Sequence, residues 1–190
     1  DAGDVARHLP LVLACRDLGL PVVVALNLAD EAAARGVDVD AGRLGQLLAV
    51  PVRRTVARTG RGVADTVALA VARARRRRGV LAGTHSPRAL VPAAGYGPAV
   101  EAALARTAAE LPTSHALGAG TMDPAGLGAL VGIGAVSARG AATLLRPDLV
   151  APPRRDLAQR WAIEVERVGA IRRPFADRLA AASIRPWPGL

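Results

Sequence analysis

The chain contains no lysine: all 25 of its basic residues are arginine, set against 16 acidic residues for a net charge of +9. A balance this basic favours nucleic acid or an anionic membrane surface as a partner. Arginine in place of lysine, together with many alanines, is also what a GC-rich coding bias produces. Aromatic residues make up only 2% of the 190 positions. The core must therefore be built from Ala, Val and Leu, and no basic stretch carries the interleaved aromatics on which single-stranded bases stack. Cys15 is the single cysteine, so an intrachain disulfide is excluded and a reducing compartment is the default. No apolar run approaches the roughly 18 residues of a membrane span, and no signal-peptide pattern is present. The chain opens on Asp1 in the middle of a pattern, which reads as a fragment.

One stretch organises the rest. In Pro21 to Glu31, PVVVALNLADE, the apolar run Val22 to Leu26 is rich in β-branched residues. It reads as a strand buried on both faces of a parallel sheet. Asn27, Leu28 and Asp30 follow its carboxyl end, the edge at which open α/β sheets bind ligands. An Asn amide donates and accepts, and a carboxylate accepts two N–H bonds, a set that suits the edge of a guanine ring. The same Asn and Asp also suit a helix cap.

On either side the pattern alternates. Asp4 to Leu18 is helical, with Asp4 as N-cap, Pro10 as a start or a kink, and Arg7, Arg16 and Asp17 facing away from the apolar side. Gly19 closes it. Residues 31–35 form a helical turn ended by Gly36, Val37 to Asp40 is extended, and Asp40 caps a helix over 41–49. A second strand runs from Val50 to about Val56, a loop holds Gly60 and Gly62, and a helix covers 63–78, ending in Arg73 and Arg75 to Arg78. Those cations complement the helix dipole. A Gly- and Pro-rich linker follows; then come helices over 99–111, 156–168 and 177–183, with no strand pattern after residue 60. Leu157, Trp161, Val165 and Val168 share one face of the helix at 156–168, where Trp161 reads as a core anchor and Arg160 and Glu164 as an i,i+4 pair.

Other chemistry finds little support. His8, His85 and His115 lie far apart with no carboxylate or cysteine at ligand spacing, and Cys15 reads as a buried small hydrophobe. Asp38 and Asp40 read as a turn and a cap. The pairs Gly118/Gly120 and Gly132/Gly134 follow no strand, and Trp187 sits between prolines near the chain end.

Asn27-Leu28-Ala29-Asp30 resembles the fourth motif of GTP-binding proteins, Asn-Lys-x-Asp, with Leu28 replacing the lysine stem that lies along the base. Thr55-Val56-Ala57-Arg58 resembles their fifth motif, Ser-Ala-Lys/Arg, whose Ala N–H contacts the base carbonyl; Val56 stands where Ser is usual. Taken together, the segments Asp1 to Glu31, Val50 to Val63, Tyr96-Gly97-Pro98, Gln159 to Glu164, Asp177 to Leu179 and Pro186 to Leu190 resemble the GTP-binding region of the bacterial ferrous iron transport protein B family.

The resemblance implies an α/β region followed by an all-α one: the C-terminal half of a P-loop-type G domain, with an incomplete doubly wound parallel sheet, then a small helical domain. The implied division is 1–80 partial G domain, 81–98 linker, 99–185 helical insertion domain of the GDP-dissociation-inhibitor kind, and 186–190 the lead into a membrane helix. The implied function is the guanine-nucleotide-binding, regulatory part of a GTP-dependent Fe²⁺ uptake system on the cytoplasmic side of the inner membrane. GTP or GDP would meet Asn27, Leu28, Asp30, Val56, Ala57 and Arg58, and a membrane pore domain would be the partner. Mg²⁺ belongs to the family, but the chain has no G-x-x-x-x-G-K-[ST] to hold it or the phosphates. The chain alone is thus expected not to hydrolyse GTP. Unpaired strand edges predict self-association, and specific nucleic-acid binding is not expected. The alternative is a basic, Arg-rich adaptor for nucleic acid or acidic surfaces that keeps only the fold.

Overall fold

The computed structural model describes residues 1–81, 95–111, 131 and 137–169. Helix α1 (Val5–Asp17) starts where the Asp4 side chain accepts from the Arg7 N–H, as its position predicts. The helix continues unbroken through Pro10. It ends in a Schellman pattern: Gly19 N–H donates to the Arg16 carbonyl and Leu20 N–H to that of Cys15, with Gly19 at φ 72°.

The chain then forms β1 (Val24–Leu26), α2 (Ala29–Ala34), β2 (Val37–Val39), α3 (Ala41–Leu48) and β3 (Val52–Arg54). A 3-10 turn (Ala57–Thr59) leads to α4 (Val63–Leu81). Asp40 caps α3 by accepting from Arg43 N–H at 2.9 Å. Strands β1 and β3 pair in parallel, Val24 with Val52 and Leu26 with Arg54. Only one face of β1 is closed: Leu26 is buried, Ala25 is exposed and Val24 is half-buried. The expectation of burial on both faces fails because an unbroken apolar run specifies compatibility with a second covering layer, and the described residues supply one layer only.

Beyond these come α5 (Pro98–Ala109), α6 (Ala138–Leu145), α7 (Pro147–Val165) and a short strand β4 (Glu166–Val168). That strand corrects the reading of an all-helical second half. It pairs antiparallel with β2, Val37 opposite Val168 and Val39 opposite Glu166. Three residues are too few for an alternating pattern to register, and the partner strand, not local propensity, holds them extended. Val168 accordingly lies 83% exposed instead of on the buried face of a helix.

The main core joins both ends of the sequence. Leu9, Leu13, Leu26, Leu44, Leu48 and Val52 pack with Leu157, Ala158, Ala162 and Val165 of α7, and Trp161 lies half-buried against the same cluster. Glu164 binds Arg43 of α3 at 2.5 Å rather than Arg160. A second, smaller cluster gathers Leu104, Ala142 and Val150. Helix α4, by contrast, presents no buried side chain among its described positions, and Val67 and Val71 are exposed. Expected features at His85, His115, Gly118 to Gly134, the helix at 177–183 and Trp187 lie outside the described residues. His8 is exposed and Cys15 is half-buried, not fully buried.

Candidate guanine-edge site and a buried ionic joint

Parallel pairing of β1 with β3 brings the two motif loops together. Thr55 N–H donates to the Leu26 carbonyl at 2.9 Å, extending the ladder one step beyond the strands. There the Asn27 side chain becomes the hub. Its Oδ1 accepts from the Ala57 backbone N–H at 3.0 Å and from the Thr55 hydroxyl at 3.2 Å. A backbone N–H can only donate, so the amide oxygen must face Ala57 and the amide nitrogen must face away from it. The Asn27 carbonyl in turn accepts from Ala2 N–H at 2.8 Å, tying the residues before α1 to the site.

Leu28 holds a left-handed conformation, φ 60° and ψ 32°, and precedes α2 without offering a side-chain cap. A branched side chain at positive φ costs on the order of 1 kcal/mol or more and persists where the surroundings fix it. The helix-cap reading of this motif therefore fails for Asn27, whose side chain bonds the neighbouring loop instead. Asp30 lies in the first turn of α2. Its Oδ2 meets Arg58 Nη2 at 3.4 Å, whereas its Oδ1 is buried without a hydrogen-bond partner among the described residues. Val56 is buried with its backbone bridged to Arg61, so its side chain supports the loop from beneath.

The structure thus brings Asn27, Asp30, Ala57 and Arg58 into one loop cluster, with Leu28 and Val56 shaping its backbone. Thr55 adds a brace that the motif's side-chain pattern did not assign. Its signal is a hydroxyl just past the end of an apolar and basic strand. Gly62 closes the loop at φ 74°, and a Cβ there would collide with the Arg54 carbonyl oxygen.

A second polar cluster lies at the far end of α1. Arg16 and Asp17, expected on the solvent side, are buried. The Asp17 carboxylate is 0% exposed and accepts from Arg139 Nη1 at 2.9 Å, Arg154 Nη2 at 2.9 Å and the Tyr96 hydroxyl at 2.5 Å. Arg139 also binds Glu101, and both guanidiniums lie over the Tyr96 ring, 5.4 and 5.8 Å from its centre. Burial and the Asp17 hydrogen bond push the Tyr96 hydroxyl up to about 12. The hydrogen bond from Arg139 holds the Glu101 carboxyl below its ordinary value. Arg139 and Arg154 compensate the buried Asp17 carboxylate, and Glu101 in turn takes Arg139, as a buried ionic group requires. Helix α6 can approach because Gly140 sits against the Asp17 carbonyl, where a Cβ would not fit.

A sequence model of ferrous iron transport protein B matches residues 1–70. Over those residues the chain is similar to the ferrous iron transport protein B family. A Porphyromonas gingivalis Fe(2+) transport protein A/Fe(2+) transporter FeoB fusion protein is 40% identical over 65 residues, which is 34% of this chain and 8% of that protein. The Salmonella typhimurium Fe(2+) transporter FeoB is 38% identical over 73 residues, 38% of this chain and 9% of that protein. The matched stretch is thus under a tenth of the length of these relatives. The cytosolic domain of L. pneumophila FeoB resembles the structure with a TM-score of 0.57 at 23% identity, covering 88% of this chain and 63% of that one. A GDP-bound mutant of S. thermophilus NFeoB gives 0.59 at 18% identity, covering 88% and 67%. These likenesses establish an α/β fold of the FeoB G-domain kind for the small parallel sheet and its helices.

Proposed function

We propose that Asn27, Asp30 and the loop 55–58 form the base-reading half of a guanine-nucleotide site in the cytosolic, regulatory part of a GTP-dependent Fe²⁺ transporter. The observation that carries this reading is the state of the Asp30 carboxylate beside a fixed Asn27 amide. A buried oxygen with no donor calls for one, and guanine offers N1–H and N2–H₂ where adenine does not. The orientation of Asn27 leaves its amide nitrogen to donate toward the purine N7/O6 edge. Ala57 N–H, now spent on Asn27, is the donor that a base carbonyl would share. GDP in the S. thermophilus relative and a GTP analogue in the T. maritima FeoB cytosolic domain support the same ligand class.

The chain supplies no phosphate cradle, since it contains no Gly-x-x-x-x-Gly-Lys-Ser/Thr. Among the described residues no group of three or more His, Cys, Asp or Glu could hold a metal. The Ser/Thr that would hold Mg²⁺ belongs to that missing motif, and GTP hydrolysis by this polypeptide alone is not part of the reading. The division into a partial G domain over 1–80, a linker over 81–98 and a helical insertion over 99–185 belongs to the same proposal. So do a membrane pore as partner and a place on the cytoplasmic face of the inner membrane. Among the described residues no helix is long and apolar enough to cross a membrane.

Calorimetric titration of the whole chain tests the reading. Base contacts without phosphate contacts predict dissociation constants on the order of millimolar for GDP, with guanosine preferred over adenosine. Micromolar GDP binding would refute the claim that the phosphate half is missing. Equal response to guanosine and adenosine would refute the assignment of the site.

A further inference from the structure

The Arg58 side chain is 81% exposed, yet its guanidinium rests on the carboxylate that the base would use. Among the described residues Arg58 is the ion-pair partner of Asp30. Its backbone is held: the 3-10 turn that carries it is pinned at Ala57 N–H by Asn27, and Gly60 N–H returns to the Ala57 carbonyl at 3.2 Å. A fixed backbone with an exposed, rotatable side chain describes a group that can leave its partner without unfolding the loop.

The chemistry of the two competitors matches. A guanidinium is planar and presents N–H donors in a fork that fits a carboxylate, and the N1/N2 edge of guanine presents the same planar set of donors. Arg58 Nη2 sits on Asp30 Oδ2, so an incoming base can use both carboxylate oxygens only after the guanidinium leaves. We propose that Arg58 is an internal competitor for the base: it occupies Asp30 in the empty protein and must swing away before guanine binds. This rests on the guanine-edge reading above.

An exposed ion pair of this length is weak and is screened by salt. The competitor therefore lowers affinity modestly, and its effect fades as ionic strength rises. An uncharged nucleoside lacks the opposing attraction of phosphate for arginine, so guanosine isolates the effect.

The test titrates the full chain and its Arg58→Ala and Arg58→Lys variants with guanosine and with adenosine, following the amide resonances of Asp30 and Ala57. Arg58→Ala is expected to bind guanosine about two- to five-fold more tightly than the parent chain at low salt. The parent should gain affinity when salt is raised to about 0.5 M, and Arg58→Ala should not. Arg58→Lys, which keeps the charge without the fork, should fall between them. Equal or weaker guanosine binding by Arg58→Ala, or a salt response identical in all three chains, would overturn the competitor role while leaving the guanine site standing. If no chain prefers guanosine to adenosine, the guanine reading fails, and the competitor role fails with it.

Discussion

Replacing Asp17 with asparagine keeps the shape of the side chain and removes the charge on which the ionic joint depends. The carboxylate has no contact with solvent and takes three donors, from Arg139, Arg154 and Tyr96. An asparagine turns its amide N–H₂ toward at least one guanidinium, so that donor faces donor. Removing one member of a buried pair costs about 3–5 kcal/mol because the partner charge is stranded. Here the guanidiniums retain 23% and 15% exposure, and Arg139 keeps Glu101. The lower end, ~3 kcal/mol, is therefore expected, a large share of the 5–15 kcal/mol typical of a domain. Arg154→Met strands less, because Asp17 still has Arg139, and should cost ~2 kcal/mol. Once Asp17 is neutral, Arg154 becomes the stranded charge. The double variant should thus be no less stable than Asp17→Asn alone, a coupling of at least ~2 kcal/mol. Urea unfolding reads this directly: with a slope of ~2 kcal/mol per molar, Asp17→Asn should lower the midpoint by ~1.5 M at unchanged slope. Additive single costs, or a loss below ~0.5 kcal/mol for Asp17→Asn, would refute the buried joint.

Tyr96 is the single tyrosine, so tyrosinate absorbance titrates it alone. Its midpoint should lie near 12 in the folded chain, and Asp17→Asn should lower it. In urea it should return to about 10. Because the folded value is raised, the associated stability is full below pH ~10 and is lost as pH climbs toward 12. Gly60 and Gly62 both hold positive φ, but only Gly62 faces a carbonyl where a Cβ would fall; nothing lies within 4 Å of Gly60. Gly60→Ala should therefore cost ~1 kcal/mol and Gly62→Ala at least twice that, seen as melting temperatures lower by ~3 °C and by ~6 °C or more. Equal losses would show that the collision is relieved.

What the sequence revealed was local. Asp4, Gly19, Gly36 and Asp40 mark helix ends by backbone chemistry that needs no distant partner, and the structure places them where that chemistry predicts. The meeting of the two motif loops was legible because each follows a strand and parallel pairing sets strand ends side by side. The ionic joint was not legible. Arg16 and Asp17 look solvated at the end of an amphipathic helix, and their partners lie as far as 137 residues away in the sequence. Burial of a charge depends on compensation, which periodicity does not carry. Strand β4 escaped for the same reason: three residues become a strand only because β2 lies beside them.

That last pairing sets an order of events during synthesis. Strand β2 waits for Val168, and the core around Leu9, Leu13 and Leu44 waits for Leu157 to Val165. A ribosome adding ~5–20 residues per second needs ~4–18 s to pass from the end of α4 to residue 169. Through that interval the first segment stands with its apolar side unclosed. A chaperone that holds exposed aliphatic surface would find its binding site in residues 1–81 and would lose it when α7 arrives.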